Sequence, residues 1–136
     1  MLFRSFSIGV NLFFELNKQL ARLMNRQPEY NKVFVHESHH VHKVDAPSGT
    51  AISIAEGILE VSGTRKKWIA FPEAQKAASE SADDTLPVYY VREDEVPGTH
   101  IVHYGSAVDE IEIRHLAYNR EGFAKDRKST RLNSSH

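Results

Sequence analysis

The chain has 136 residues, 40% of them hydrophobic and 26% charged, which is enough for a single domain with one hydrophobic core. Seventeen basic residues against eighteen acidic ones leave a net charge near −1 with no basic patch, so electrostatics gives no reason to expect nucleic acid. There is no cysteine, which excludes disulfides and thiolate metal sites and accords with a reducing compartment.

The opening stretch, MLFRSFSIGVNLFFEL, has one arginine and a short apolar run. It lacks a small-residue cleavage site, is interrupted by Asn11 and Glu15, and is too short to span a bilayer, so it is expected to begin a helix in a cytoplasmic, membrane-free protein. Ser7 is placed to cap a helix from Ile8 to about Asn25, in which Val10, Phe13, Phe14, Leu16, Leu20, Leu23 and Met24 form a core-facing stripe at three- and four-residue spacing. After Gln27-Pro28-Glu29, KVFVHE reads as a short buried strand.

A second helix is predicted from Ser48 or Thr50 to Val61, with Ile54, Ile58 and Val61 on one side and Gly63 as its stop. Residues 73–85 are small and polar, a surface loop or weak helix. Three strands follow, in PVYYVR, THIVHYG and DEIEIRHLAY, the last two joined by a hairpin turn from Gly105 to Val108. The order α, β, α, then several β predicts an α+β fold, a mixed sheet with helices packed on one face. The second sheet face is expected to draw apolar surface from Val88, Tyr90, Val102 and Tyr104, and to be buried by self-association through residues 88–117.

Between the first strand and the second helix lies HESHHVHKVDAPSGTA, with four histidines in seven positions, then Lys43 and a Pro-Ser-Gly-Thr turn. Histidine titrates near neutrality, so the cluster suggests proton transfer, metal binding or a pH switch, against the plain alternative of polar loop residues satisfied by the backbone. In an extended segment His40 and His42 point one way and His39 the other, Lys43 would set a positive charge beside a cation, and structural zinc needs four ligands. A proton donor beside an anion site fits better. Pro47 fixes φ, Ser48 can cap, Gly49 lets a ligand approach the backbone, and the helix N-terminus favours a small carboxylate or phosphate. Lys43 and His40 add donors to that rim, and His39 or Lys43 could move a proton within the complex.

The segment ESHHVHKVDAPSGTA resembles the signature of the 4-hydroxy-tetrahydrodipicolinate reductase (dihydrodipicolinate reductase) family of lysine and diaminopimelate biosynthesis. FSIGVN, VPGTHIVHYG and EIEIRHLAYNREGFA resemble its flanking elements, so the likeness covers residues 5–125. It implies the C-terminal substrate and tetramerisation domain, assembling as a homotetramer through the sheet. The chain carries no GxGxxG turn, so the family's N-terminal Rossmann domain is expected to be absent and this fragment alone inactive. Asp94 departs from the small residue or glycine of many members.

Carried over by position, the resemblance makes His39 the catalytic proton donor or acceptor and Lys43 its partner in protonation and substrate contact. It makes His40, Gly49 and Thr50 carboxylate-binding, and Phe6 an edge contact of the nicotinamide of NADH or NADPH. The activity implied is NAD(P)H-dependent reduction of 4-hydroxy-tetrahydrodipicolinate to tetrahydrodipicolinate. The alternatives are a non-catalytic module binding small dicarboxylates and a histidine-based metal-binding protein. His36, His100, His103 and His115 are expected to be structural, hydrogen-bonded within the domain, and Arg120 to serve either packing or an interface, or else a substrate contact.

The last eleven residues, DRKSTRLNSSH, resemble the conceptual translation of a common sequencing-adapter oligonucleotide. The domain is accordingly expected to occupy residues 1–125 and the tail 126–136 to be non-native. Without the tail's three basic residues and one acidic residue the net charge is about −3.

Overall fold

In the computed structural model, residues 7–79 and 83–118 are described. Phe6, Arg120 and the tail 126–136 lie outside them. The elements run α1 (Ile8–Met24), β1 (Lys32–His39), α2 (Gly49–Val61), β2 (Lys67–Pro72), a 3₁₀ helix (Glu73–Ser79), β3 (Thr85–Arg92), β4 (Gly98–Gly105) and β5 (Glu110–Ala117).

Ser7 caps α1 as its sequence position predicts, Oγ accepting the Val10 N–H at 3.2 Å. The inward face of α1 differs from the expected stripe. Phe13 and Ala21 are buried with Asn11 and Asn17, whereas Leu16 and Leu23 are exposed. Asn17 can be buried because its Nδ2 donates to the Ile54 carbonyl at 3.0 Å, which ties α1 to α2 and turns Leu16 outward. Helix α2 is capped by Ser48 and ends at Ser62, whose backbone is extended. Gly63 is not the stop: no glycine has positive φ among the described residues, and Ser62 Oγ instead receives the Thr64 and Arg65 N–H groups.

The five strands form one mixed sheet in the order β2-β3-β1-β4-β5. β2, β3 and β1 are parallel, while β4 and β5 continue antiparallel. From β1 the chain moves two places outward through α2 to β2, then one place back through the 3₁₀ helix to β3. Reversing the direction of travel while keeping right-handed crossovers requires the two connections to lie on opposite faces. Helix α2 packs Ile54, Ala55 and Ile58 on Val33, Val35, Leu86 and Val88, while Lys76 of the 3₁₀ helix sits 4.0 Å above the ring of Phe34 on the other face. Both α-helices share the first face, so the predicted α+β arrangement holds.

Strand alternation corrects the expected second face. Val88, Val102 and Tyr104 are buried in the core under the helices, and Tyr90 is on that side by alternation from Val88. The opposite face carries Phe34, stacked on His103 at 4.4 Å and edge-on to Tyr89 at 5.4 Å, with Ile101 beside them by alternation. Burial of a side chain such as Ile54, wholly inaccessible, contributes roughly 1.5–3 kcal/mol, and the core is built from a dozen buried apolar residues of both helices and three strands.

Candidate active site

The carboxyl ends of the parallel strands β1 and β3, the start of β4 and the N-terminus of α2 meet at one edge of the sheet. Open α/β sheets place ligands at such strand ends. A cavity of about 580 Å³ lies there, lined by Phe14, His39, Lys43, Ser48, Gly49, Thr50 and Ser53. The structure thus gathers His39, Lys43, Gly49 and Thr50 around one space. His40, next along the chain, points elsewhere: its Nδ1 accepts the His42 N–H at 3.2 Å, and it is not among the lining residues.

Ser48 N-caps the helix at the floor of the cavity. Its Oγ accepts the Ala51 N–H at 3.1 Å and its carbonyl takes that of Ile52, which leaves the N–H groups of Gly49 and Thr50 at the open end of the helix. A Cβ at Gly49 would meet nothing within 4 Å, so the backbone there is approachable.

Behind the cavity lies a buried ionic cluster. Glu37 is completely inaccessible, a carboxylate placed two residues before His39 on the same face of β1. Arg92 Nη2 stands 2.7 Å from its Oε1, and Ser48 donates to Oε2 from both backbone N–H (2.8 Å) and hydroxyl (2.9 Å). A buried charge requires this degree of pairing. Arg92 also donates to the carbonyls of Lys43 (3.2 Å) and Asp45 (2.6 Å), which holds the loop that carries Lys43. Lys43 Nζ pairs with Asp45 at 3.1 Å, and that hydrogen bond keeps the Asp45 carboxyl below its ordinary range.

His100 joins the cluster from β4. Its Nε2 lies 3.2 Å from Ser48 Oγ and 3.3 Å from His39 Nε2. Burial, with the positive groups around it, pushes His100 down to about 3, so it is neutral at physiological pH. Burial also lowers His39, opposed by Glu37 and assisted by Arg92 and Lys43. The ligand-type atoms of Glu37, His39 and His100 lie within 4.8 Å of one another, yet the Glu37 oxygens are already engaged by Arg92 and Ser48. That donor set suits a hydrogen-bonded cluster rather than an ion.

The other histidines fall outside the cavity. His36 pairs with Glu73 at 2.9 Å and His103 with Glu112 at 2.7 Å, both on the face away from the helices, while the His115 ring packs 5.9 Å from Phe13.

A family profile described as "Dihydrodipicolinate reductase, C-terminus" matches residues 9–126. The chain belongs to the dihydrodipicolinate reductase family. It is 46% identical over 120 residues to the 4-hydroxy-tetrahydrodipicolinate reductase of Christiangramia forsetii, a match spanning 88% of this chain and 46% of that protein. It is 36% identical over 117 residues to the reductase of the same name from Methanothermobacter thermautotrophicus, covering 86% of this chain and 41% of the other. Among solved structures it is similar to a dipicolinate-bound dihydrodipicolinate reductase from Paenisporosarcina sp. TG-14, with TM-score 0.62 and 29% identity over 92% of this chain and 45% of that one. The chain spans less than half the length of these reductase relatives.

Residue-by-residue reading missed Glu37, Arg92 and His100 as parts of the site. One signal was present. Val33, Val35, Glu37 and His39 occupy alternate positions, so a strand facing its valines to the core must bury the glutamate and aim it beside the histidine. Arg92 had no comparable signal, because its role depends on the parallel pairing of His39 with Arg92.

Proposed function

We propose that this chain is the substrate half of a 4-hydroxy-tetrahydrodipicolinate reductase, reducing 4-hydroxy-tetrahydrodipicolinate to tetrahydrodipicolinate with NADH or NADPH in cytoplasmic lysine and diaminopimelate biosynthesis. The observation that carries this reading is the convergence of His39, Lys43, Gly49 and Thr50 on one cavity at the capped N-terminus of α2. The names of the matched reductases and the dipicolinate bound to the structural neighbour support it.

In this reading a substrate carboxylate lies against the Gly49 and Thr50 N–H groups, where the helix dipole favours negative charge. Lys43 adds a positive charge at the rim, and His40 serves a second carboxylate by turning away from the His42 N–H that it accepts in the free chain. His39 delivers the proton that completes the reduction, and Lys43 stabilises the negative charge that builds before that proton arrives. Among the described residues no glycine-rich turn is available for a dinucleotide: the turn between β1 and α2 holds a single glycine and opens on the cavity read here as the carboxylate seat. The nicotinamide nucleotide, which supplies the hydride when bound, is placed in the part of the relatives that this chain does not span, with Phe6 at its edge. Tetramer assembly is placed on the sheet face bearing Phe34, Tyr89 and Ile101.

Two measurements test the reading. Calorimetric titration of pyridine-2,6-dicarboxylate into the chain is expected to show binding, lost in Lys43→Ala. The chain joined to the N-terminal half of the Christiangramia forsetii reductase is expected to oxidise NADH or NADPH only when substrate is present. Binding without turnover in the folded fusion favours a dicarboxylate-binding module, and absence of both overturns the proposal.

A further inference from the structure

Proton accounting in the buried cluster reaches beyond the identity of the proton donor to which nitrogen holds the proton. Glu37 is held as a carboxylate by Arg92 Nη2 at 2.7 Å and by two donors of Ser48, and a carboxylate only accepts. Ser48 has one hydroxyl proton. Two acceptors compete for it, Glu37 Oε2 at 2.9 Å and His100 Nε2 at 3.2 Å. The charged and nearer acceptor takes it. Ser48 Oγ then faces His100 Nε2 with a lone pair, so that nitrogen must carry a hydrogen.

His100 is neutral and has a single ring proton, which this contact places on Nε2. The same Nε2 stands 3.3 Å from Nε2 of His39. A hydrogen on His39 Nε2 would meet that N–H and find no acceptor of its own, since Glu37 Oε1 stands 3.8 Å away, so His39 Nε2 is the acceptor. Neutral His39 therefore has its proton on Nδ1. On that edge the ring lies against Gly98, where a Cβ would stand 3.0 Å from Nδ1 and 2.9 Å from Cε1. Only a residue without a side chain leaves that edge room.

We infer that Arg92, Glu37, Ser48 and His100 act as positioning residues that hold neutral His39 as its Nδ1–H tautomer, so that Nδ1–H is the proton His39 delivers. An exposed neutral histidine favours Nε2–H, so the cluster reverses the preference of free imidazole. The inference rests on the reading above for His39's role in reduction, whereas the tautomer itself follows from the contacts alone.

The test is two-bond ¹H–¹⁵N correlation spectroscopy on the full 136-residue chain labelled with ¹⁵N-histidine, at a pH above the histidine titrations. The His39 signal is assigned by its loss in His39→Asn. A protonated-type Nδ1 and bare Nε2 are expected for His39, and the reverse for His100. Ser48→Ala removes the lone pair that orients His100 and is expected to return His39 to mainly Nε2–H, whereas Ser48→Thr keeps the hydroxyl and the wild-type pattern. Circular dichroism confirms that the helix survives. His100→Leu, which leaves the helix cap intact, is expected to give the same reversion and replaces Ser48→Ala if that variant does not fold. A wild-type His39 found as Nε2–H, or a tautomer unmoved in the folded variants, overturns the inference. Because this readout needs neither substrate nor turnover, its failure leaves the proposed function standing, and failure of the binding and turnover tests leaves the tautomer standing.

Discussion

Gly98 lies against the ring of His39, so close that a methyl group on its Cα would stand 2.9 Å from Cε1. Real side-chain carbons do not approach so closely, and the strand backbone of β4 cannot yield, so Gly98→Ala is expected to push the imidazole out of place. A displacement of this order costs about 10²-fold in rate. In the fused enzyme the loss should appear in kcat, with dicarboxylate affinity nearly kept. Gly49→Ala is the counterpart. Its Cβ meets nothing within 4 Å, so the melting temperature should hold while pyridine-2,6-dicarboxylate binding weakens. Equal kcat for Gly98→Ala and wild type would show that His39 placement does not govern the reaction.

His39→Ala and Lys43→Ala in the fused enzyme are each expected to lower kcat by about 10²–10⁴-fold with little change in stability, since both side chains line the cavity rather than the core. Thr50→Ala should act mainly on KM, because the N–H groups at the start of α2 survive the change. Steady-state kinetics with circular dichroism as the folding control decides this; near-wild-type kcat in both alanine variants would remove the proton-transfer role from the pair.

Much of this arrangement was legible in the residues, and the gaps have physical causes. The caps Ser7 and Ser48 announced both helices because a hydroxyl that satisfies a helix N–H works within three residues of sequence. The strand Lys67–Pro72 went unread. KWIAFP is short, ends in proline and is an edge strand whose pairing partner, Thr85–Tyr90, lies beyond a 3₁₀ helix. The facing of Val88, Val102 and Tyr104 depends on which side α2 crosses, which is a property of the sheet order and not of any strand alone. In the site, the turn DAPSGT and the histidines before it announced a proton donor beside an anion seat. Glu37 did not stand out until Arg92, far along the chain on β3, neutralised it.

Acid should destabilise the domain through His100. Its folded-state pKa, about 3, lies below the unfolded value near 6.5, so the unfolded chain takes up the proton first as pH falls. The stabilisation is complete above about pH 6.5 and is lost progressively toward pH 3. At pH 5 the loss is about 2 kcal/mol, since each pH unit below the unfolded pKa costs roughly 1.4 kcal/mol. The lowered His39 adds in the same direction. Urea unfolding at pH 7 and pH 5 should show the difference, and His100→Asn should flatten it; an unchanged slope in that variant would place the acid sensitivity elsewhere.

Self-association, if it uses the sheet, must use the face bearing Phe34, Tyr89, Ile101 and His103, because the opposite face is filled by the helices. Ile101→Lys is expected to abolish that association while leaving the melting transition cooperative. Sedimentation at micromolar concentration distinguishes the outcomes, and association unaffected by a lysine at that position would move the interface off the sheet.

The ladder that pairs Glu37 with His100 and Ser38 with Thr99 works as the ruler of the whole centre. Side chains alternate along a strand, so sliding β4 by one residue would send His100 to the far face and bring Thr99 or Ile101 inward. Chain added to the bend at residues 93–97 would leave that alignment intact, whereas one residue inserted within β4 between His100 and Val102 would turn His100 outward, because Val102 and Tyr104 stay anchored in the core, and would disconnect His39 from the carboxylate network without touching any residue of the cavity. For this domain, lengthening the connector is permissible and lengthening the strand by a single peptide unit is not.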